Sequence, residues 1–378
     1  MKLIHLSDLH IGKRVNDFSM LEDQDYILTK IINIIDDENP DGVIIAGDIY
    51  EKSVPSTEAV QLFDDFLVRL AKRSLKVFVI SGNHDSSERI AFGSRIMSSS
   101  GVHMSPVYDG NVTPVILDDD FGTVNIFMLP FIKPSHVKRY YPDDELCTCS
   151  DAIKSTIGHM GIDPASRNIL IIHQFVTGAS SCDSEDITVG GCDSVDANVF
   201  APFDYVALGH IHGPQNVGGE FVRYCGTPLK YSFSEVNHNK SVTVVELLKK
   251  GSVIVRTVPL IPKRDMMEIK GSYMEVTSRD FYNSIDTAAY MHITLTDEED
   301  IPDAIGKLRS VYPNIMKLDY DNMRTRSNSE IIGTDDIERK TPIELFSEFY
   351  AYQNNQPLSA EQHAFLCDLI EKTWEDVQ

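Results

Sequence analysis

Five short apolar runs in this chain each end on residues that can hold a metal ion. Lys2–Ser7 leads into Asp8-Leu9-His10, Gly42–Ala46 into Gly47-Asp48, and Lys76–Ser81 into Gly82-Asn83-His84-Asp85. Asn168–Ile172 leads into His173, and Asp204–Leu208 into Gly209-His210-Ile211-His212. A mixture of Asp, Asn and His suits Mn²⁺, iron or Zn²⁺ better than Ca²⁺, which favours all-oxygen cages. The set is large enough for two ions with one carboxylate shared. Two metals about 3.5–4 Å apart clamp a phosphate for in-line attack, neutralise developing charge and make hydroxide available near neutral pH.

Taken singly, the pieces are ordinary. Asp-x-His is common, Gly47-Asp48 and Gly82-Asn83 each read as turns, and an isolated His173 after an apolar run reads as a satisfied buried histidine. Their joint placement at strand ends points to chemistry, because α/β folds gather their sites there. A glycine just before the ligand in three of the runs predicts sharp turns free of a Cβ penalty. The other seven histidines, at positions 5, 103, 136, 159, 238, 292 and 363, lack such a setting and read as structural or surface residues.

The elements that must position these ligands follow from periodicity. Several of the runs are apolar on consecutive positions, as in strands buried on both faces. Met20–Glu38 carries Leu21, Ile27, Ile31, Ile34 and Ile35 at helical spacing, and Ser56–Arg73 carries Val60, Phe63, Leu67 and Leu70 on one face. Strands alternating with helices predict a layered α/β domain. From Val222 to Val258 the pattern becomes short strands, Val222–Cys225, Ser241–Leu248 and Ser252–Val258, with Lys249-Lys250-Gly251 as a hairpin turn. A smaller unit over about 263–326 shows strand-like Tyr290–Leu295, a helix at Ile301–Val311 and a strand near Ile315–Tyr320. Two helices close the chain, each opened by a capping box, Thr341-Pro342-Ile343-Glu344 and Ser359-Ala360-Glu361-Gln362. The apolar face of the first would be Leu345, Phe346, Phe349 and Tyr350, and of the second Phe365, Leu366, Leu369 and Ile370.

Composition narrows the classes. At 378 residues, 42% hydrophobic and 24% charged, the chain is an ordinary globular protein of two or three domains. No run is apolar enough to span a bilayer, and the start of the chain lacks signal-peptide features, so a cytoplasmic address is expected. Cys147, Cys149, Cys182, Cys192, Cys225 and Cys367 form no zinc-finger spacing and read as free thiols, although Cys182 and Cys192 flank one loop. Net charge is −23; residues 259–378 hold 12 basic and 23 acidic side chains, the remainder 22 and 34. Such a surface repels nucleic acid on average, so metals or a partner would have to supply positive charge.

The ordered series Asp8-x-His10, Gly47-Asp48, Gly82-Asn83-His84-Asp85, His173 and Gly209-His210-x-His212 resembles the calcineurin-like metallophosphoesterases. Within them it is similar to the D subunits of SbcCD nucleases, bacterial relatives of the archaeal and eukaryotic double-strand-break-repair nuclease. The opening, His5 to Gly12, the segment Gly226 to Glu235 and the helix start Thr341 to Phe346 sharpen the match. The likeness spans nearly the whole chain and is weakest over 263–326.

The resemblance implies a two-sheet sandwich flanked by helices, plus a small α+β capping domain and a C-terminal helical pair. The implied boundaries are 1–258 for the nuclease domain, 259–330 for the DNA-capping domain and 331–378 for helices that bind the partner. One ion would take Asp8, His10, Asp48 and His212; the other would take Asp48, Asn83, His173 and His210, with Asp48 as the bridge. The ions would be two Mn²⁺, with Mg²⁺ possible. His84 would be catalytic, facing the scissile phosphate and serving the leaving 3′ oxygen. The partners implied are DNA, an SbcC-like SMC-family ATPase and a second copy of the chain, as a homodimer within a heterotetramer, with no membrane. Archaeal and eukaryotic relatives place a histidine shortly after Gly-Asp, where this chain has Tyr50-Glu51-Lys52. Activity on small phosphate esters or cyclic nucleotides, or a scaffold on a decayed fold, are the competing readings; a decayed scaffold would have lost ligands, and none is missing here.

Overall fold

The computed structural model describes residues 1–185, 194–323, 325, 342–354 and 356–375. The chain divides into two compact units, Met1–Asp265 and Met266–Gln378. The first unit begins with β1 (Lys2–Leu6), a small hairpin of β2 (Arg14–Val15) and β3 (Phe18–Ser19), and helix α1 (Leu21–Glu38). Then come β4 (Gly42–Ala46), α2 (Thr57–Ala71), β5 (Lys76–Ile80), β6 (Val102–Met104), β7 (Val115–Asp119) and β8 (Gly122–Leu129). A helix over Cys149–His159 precedes β9 (Arg167–His173) and β10 (Tyr205–Gly209). The unit closes with β11 (Gln215–Asn216), β12 (Val222–Tyr224), β13 (Ser241–Leu247) and β14 (Val253–Pro259).

These strands form two six-stranded sheets, ordered β14-β13-β1-β4-β5-β6 and β11-β12-β10-β9-β8-β7. The strands that precede candidate ligands are central and mutually parallel: β1 with β4, β4 with β5, and β9 with β10. Every residue of β4, β9 and β10 is buried, as consecutive apolar runs require when both faces are covered. One core cluster draws Leu3, Ile44, Phe78 and Ile80 from one sheet and Ile126, Ile169, Ile171 and Tyr205 from the other, so it fills the space between them. A second cluster lies where the helix Cys149–His159 covers the other face of β8–β10. Each such buried Ile, Leu or Phe contributes roughly 1.5–3 kcal/mol relative to exposure. The expected sandwich of two sheets flanked by helices is therefore present, and its parallel strand ends open at one edge.

Some local expectations change. The buried stripe of α2 is Ala59, Phe63, Phe66, Leu67 and Leu70. Val60 falls off that stripe and is 44% exposed. The Lys249–Gly251 turn is present, with Gly251 at φ 76° and Leu248 N–H donating to Ser252 O at 3.0 Å. Cys182 is a free thiol, while Cys192 lies outside the described residues.

The second unit holds a three-stranded parallel sheet of β15 (Met266–Gly271), β16 (Tyr290–Leu295) and β17 (Ile315–Tyr320). The helix expected over Ile301–Val311 is shorter, Ala304–Arg309, because Asp303 at its start takes a left-handed φ of 51°. The terminal helices span Pro342–Asn354 and Ala360–Glu375. The second has its capping box: Gln362 N–H donates to Ser359 Oγ at 3.2 Å and Ser359 N–H to Gln362 Oε1 at 2.9 Å. Thr341, the start of the other box, lies outside the described residues. No helix of the described residues is long and apolar enough to cross a membrane.

Candidate metal centre

All eight residues singled out by the sequence come together where the parallel strands end. Asp8 and His10 follow β1, Asp48 follows β4, Asn83 and His84 follow β5, His173 closes β9, and His210 and His212 follow β10. The loops are laced to one another. Asp8 N–H donates to Gly47 O, His10 N–H to Asp48 O and Ile11 N–H to Ile49 O, so β1–β4 pairing continues past the strands. Asp85 carboxylate oxygens accept from the N–H groups of Gly82, Ile49 and Tyr50 at 2.9, 3.1 and 3.0 Å, tying the third loop to the second. Burial lifts the Asp85 pKa to about 6.

This packing forces unusual backbone. Asp8, His10, Asp48 and His210 have φ of 52°, 45°, 49° and 102°. Left-handed conformation in such residues costs roughly 1–3 kcal/mol each and survives only where the surroundings enforce it. The glycines before the ligands serve two purposes, only one of which was anticipated. Gly47 turns the chain at φ 89°. Gly82 has no such φ; instead, a Cβ there would meet Asp48 Oδ1 at 2.1 Å, so hydrogen is the only side chain that admits the carboxylate.

The donor atoms face each other in two groups. Nε2 of His10 and Nε2 of His212 are 3.1 Å apart. Asn83 Oδ1 lies 3.0 Å from His173 Nε2 and 2.9 Å from His210 Nδ1. Asp48 joins the groups: its Oδ2 is 3.3 Å from His173 Nε2 and 3.7 Å from His10 Nε2. His173 Nε2 is also 3.9 Å from Asp8 Oδ1. Asp8, His10, Asp48, His173, His210 and His212 are all buried, whereas Asn83 and His84 are partly open.

Hydrogen bonds behind the rings determine which nitrogens are offered. His173 Nδ1–H donates to Ala46 O at 2.8 Å, leaving Nε2 as the nitrogen that faces inward. Ser184 Oγ donates to Glu235 Oε1, so His212 Nδ1–H donates to Ser184 Oγ at 2.7 Å, and its Nε2 is a lone pair. Glu51 Oε2 sits 3.0 Å from His10 Nδ1, although out of hydrogen-bond alignment, and is held by Lys13 at 3.0 Å. Imidazole nitrogens gathered around the Asp48 and Asp8 carboxylates and the Asn83 amide oxygen make a mixed nitrogen and oxygen donor set, so these residues fit a metal site. Sequence reading gave no role to Asp85, Glu51, Ser184 or Glu235. Glu235 does end the segment Gly226–Glu235, and its purpose is now visible. Lys240 Nζ pairs with Glu235 and donates to His212 O at 2.9 Å, clamping the last ligand loop.

The electrostatics agree. Burial opposes ionisation of Asp48, yet His173, His10 and His84 around it hold its pKa well below the carboxylate range. Burial likewise disfavours a charged His173, but Asp48 and Asp8 outweigh it and lift that pKa to about 9. Burial raises Asp8 to about 7 and lowers His210 and His212 to about 3 and about 4. A pocket that stabilises a proton on His173 against two carboxylates is one that favours positive charge. His84 stands apart. Its Nδ1–H donates to Glu51 O at 3.1 Å, and its Nε2 lies 4.0 Å from Asp48 Oδ2.

The calcineurin-like phosphoesterase family model matches residues 1–214, and a model described as the Type 5 capsule protein repressor C-terminal domain matches 262–354. The chain is 35% identical over 369 residues to the D subunit of the SbcCD nuclease of Staphylococcus epidermidis, covering 96% of each. It is 33% identical over 345 residues to the corresponding D subunit of Staphylococcus saprophyticus, covering 89% of this chain and 90% of that one. Among solved structures, a dimetal phosphatase from Danio rerio is 12% identical, covering 69% of this chain and 96% of that chain with a TM-score of 0.43.

Proposed function

The chain belongs to the calcineurin-like phosphoesterases and, within them, to the D subunits of SbcCD nucleases, and from that premise we propose that it hydrolyses DNA phosphodiester bonds at two metal ions as the nuclease half of a complex with an SbcC-like SMC-family ATPase. The chain is a metal-dependent hydrolase of divalent-ion type; the finer assignment is Mn²⁺, with Mg²⁺ as the substitute. Asp8, His10, Asp48 and His212 would hold one ion, and Asp48, Asn83, His173 and His210 the other. Support comes above all from Asp48, whose single carboxylate faces nitrogen donors of both groups. Bound there, the ions would supply Lewis acidity toward phosphate oxygens and activate water near neutral pH.

The protein's own groups do the rest. Asp48 keeps the negative charge that the site needs, because the histidines around it hold it ionised. Ala46 O and the Ser184–Glu235 pair fix the tautomers of His173 and His212. His84, anchored through Nδ1 on Glu51 O, would carry a proton at Nε2 and deliver it to the leaving 3′ oxygen. Substrates would be duplex ends, for exonuclease action, and single strands or hairpins, for endonuclease action. Residues 259–330 would cap the DNA, and a second copy of the chain would complete a heterotetramer. The helices of 331–378 would dock on the ATPase. In their favour, Phe346, Phe349, Phe365 and Leu369 are 43%, 58%, 68% and 48% exposed, an apolar surface suited to a partner.

The test is a nuclease assay on blocked and free duplex ends with Mn²⁺ or Mg²⁺, with and without the ATPase and ATP, beside a small phosphate ester. Metal-dependent cutting of ends that the ATPase and ATP stimulate is expected. Hydrolysis of the ester with no cutting of DNA would reject the reading.

A further inference from the structure

We propose that the stretch from Phe131 to Tyr141 is the surface that guides the DNA strand to the metal centre, with Lys133, Lys138 and Arg139 on its phosphates and Tyr140 and Phe131 against its bases. This rests on the nuclease reading above and gives it a binding surface.

A chain of net charge −23 needs a local reversal of sign wherever it meets a polyanion. From Leu129 to Pro142 there is no Asp or Glu, while Lys133, His136, Lys138 and Arg139 alternate with Phe131, Tyr140 and Tyr141; acid returns at Asp143. Cations interleaved with aromatic rings make a platform for single strands, one set neutralising the backbone and the other stacking on bases.

The fold places this stretch against the site. The Phe131 ring meets His173 edge-on at 6.3 Å, and its N–H donates at 2.9 Å to Ser81 O, just before Gly82-Asn83. Ile132 O accepts at 2.7 Å from Gln174 Nε2, the residue after His173. Lys133 Nζ lies 6.0 Å from the Phe131 ring centre, so the ammonium is no farther from the His173 ring than those two distances laid end to end. The backbone is fixed by burial of Ile132 and Val137 and by Tyr141 Oη–H donating to Gly110 O at 2.6 Å. From that fixed base Lys133, Lys138, Arg139 and Tyr140 project outward, exposed, with the Arg139 guanidinium 5.9 Å from the Tyr140 ring.

Several cations on this unit are already neutralised by ion pairs. Arg73 pairs with Asp36, Arg256 with Glu38, and Lys263 and Arg264 with Glu22. Lys133, Lys138 and Arg139 form no ion pair with any described residue. Charge held on a rigid base and not neutralised from within is available to phosphate.

The experiment compares the wild type with Lys133→Ala/Lys138→Ala/Arg139→Ala and with the charge-preserving Lys133→Arg/Lys138→Arg/Arg139→Lys. Each is assayed in Mn²⁺ on a labelled single-stranded oligonucleotide and on bis(p-nitrophenyl) phosphate, from about 50 to 200 mM salt. Three lost phosphate contacts lower the slope of log affinity against log salt by about 2, so over that range the alanine variant loses roughly tenfold less DNA affinity than the wild type. Its KM for the oligonucleotide rises about tenfold at low salt with a much smaller change in kcat, and its kcat/KM falls far more on DNA than on the diester. The charge-preserving variant keeps the wild-type slope. An unchanged slope in the alanine variant, or equal losses on both substrates, overturns the proposal. A wild type that hydrolyses the diester and cuts no DNA sinks the nuclease reading, and this surface with it.

Discussion

Replacing Asp48 by Asn asks whether one carboxylate holds the centre together. The amide is nearly isosteric and keeps an oxygen to accept the His84 N–H, which now bonds Asp48 Oδ1 at 2.9 Å, so the loop should persist. What disappears is the charge lying 3.3 Å from His173 Nε2 and 3.7 Å from His10 Nε2. A unit charge acting on a divalent ion about 4 Å away is worth roughly 8 kcal/mol at an effective dielectric of about 20. The amide dipole and relaxation recover much of this. A net loss of a few kcal/mol remains, about 10²–10⁴-fold in affinity for each ion. Asp48→Ala, which also removes the oxygen, should lose both ions outright. The assay is elemental analysis after dialysis, together with thermal unfolding with and without Mn²⁺. Ions at about 1,000 times their Kd stabilise the wild type by about 4 kcal/mol each, and most of this gain should be lost in the variant. A variant that retains two ions per chain, with the wild-type metal-induced shift, refutes the bridge.

Four further outcomes are expected. His84→Ala keeps its metal content and DNA binding but loses roughly 10²–10⁴-fold in cleavage rate, as for removal of a positioned acid; lost metal would make His84 a ligand instead. Glu235→Ala leaves buried Lys240 unpaired and should cost about 3–5 kcal/mol in chemical denaturation, with weaker metal binding through His212; an unaltered midpoint argues against the clamp. Phe346→Asp with Phe349→Asp should abolish co-purification with the ATPase while leaving metal content intact; an intact complex removes these helices from the interface. The folded pKa of His173 is raised to about 9, so its proton is favoured below that pH and a metal ion must displace it. Affinity should therefore rise about tenfold per pH unit from about 7 to 9 and level off above, with a proton released on binding, measured by calorimetry in buffers of different ionisation enthalpy.

Much of this site was legible because a strand end is a local signal. Each apolar run, its length and its terminal Asp, Asn or His could be read within ten residues, and parallel pairing brings such ends to one edge. The supporting groups were harder to see. Glu51 and Ser184 act on His10 and His212 across the fold, and no spacing in the sequence marks a carboxylate as facing a histidine ring rather than water. Gly82 looked like a turn glycine and is instead a clearance for Asp48, a fact that depends on where another loop passes. Phe63, Leu67 and Leu70 are packed as expected, but Ala59 and Phe66 complete that face where Val60 was expected. The strands β7 and β15 were missed because each is only partly buried and its alternation is weak over so few residues.

The ligands also set a timetable. The first group joins His10 to His212, and the clamp on His212 needs Lys240. During synthesis at roughly 5–20 residues per second, the chain spends on the order of ten seconds or more between the two ends of that group. No N-terminal fragment ending before His212 holds the complete set, and one ending before Lys240 lacks the clamp on His212. A nuclease built this way is harmless for as long as it is unfinished, because its two sheets each carry only part of the blade.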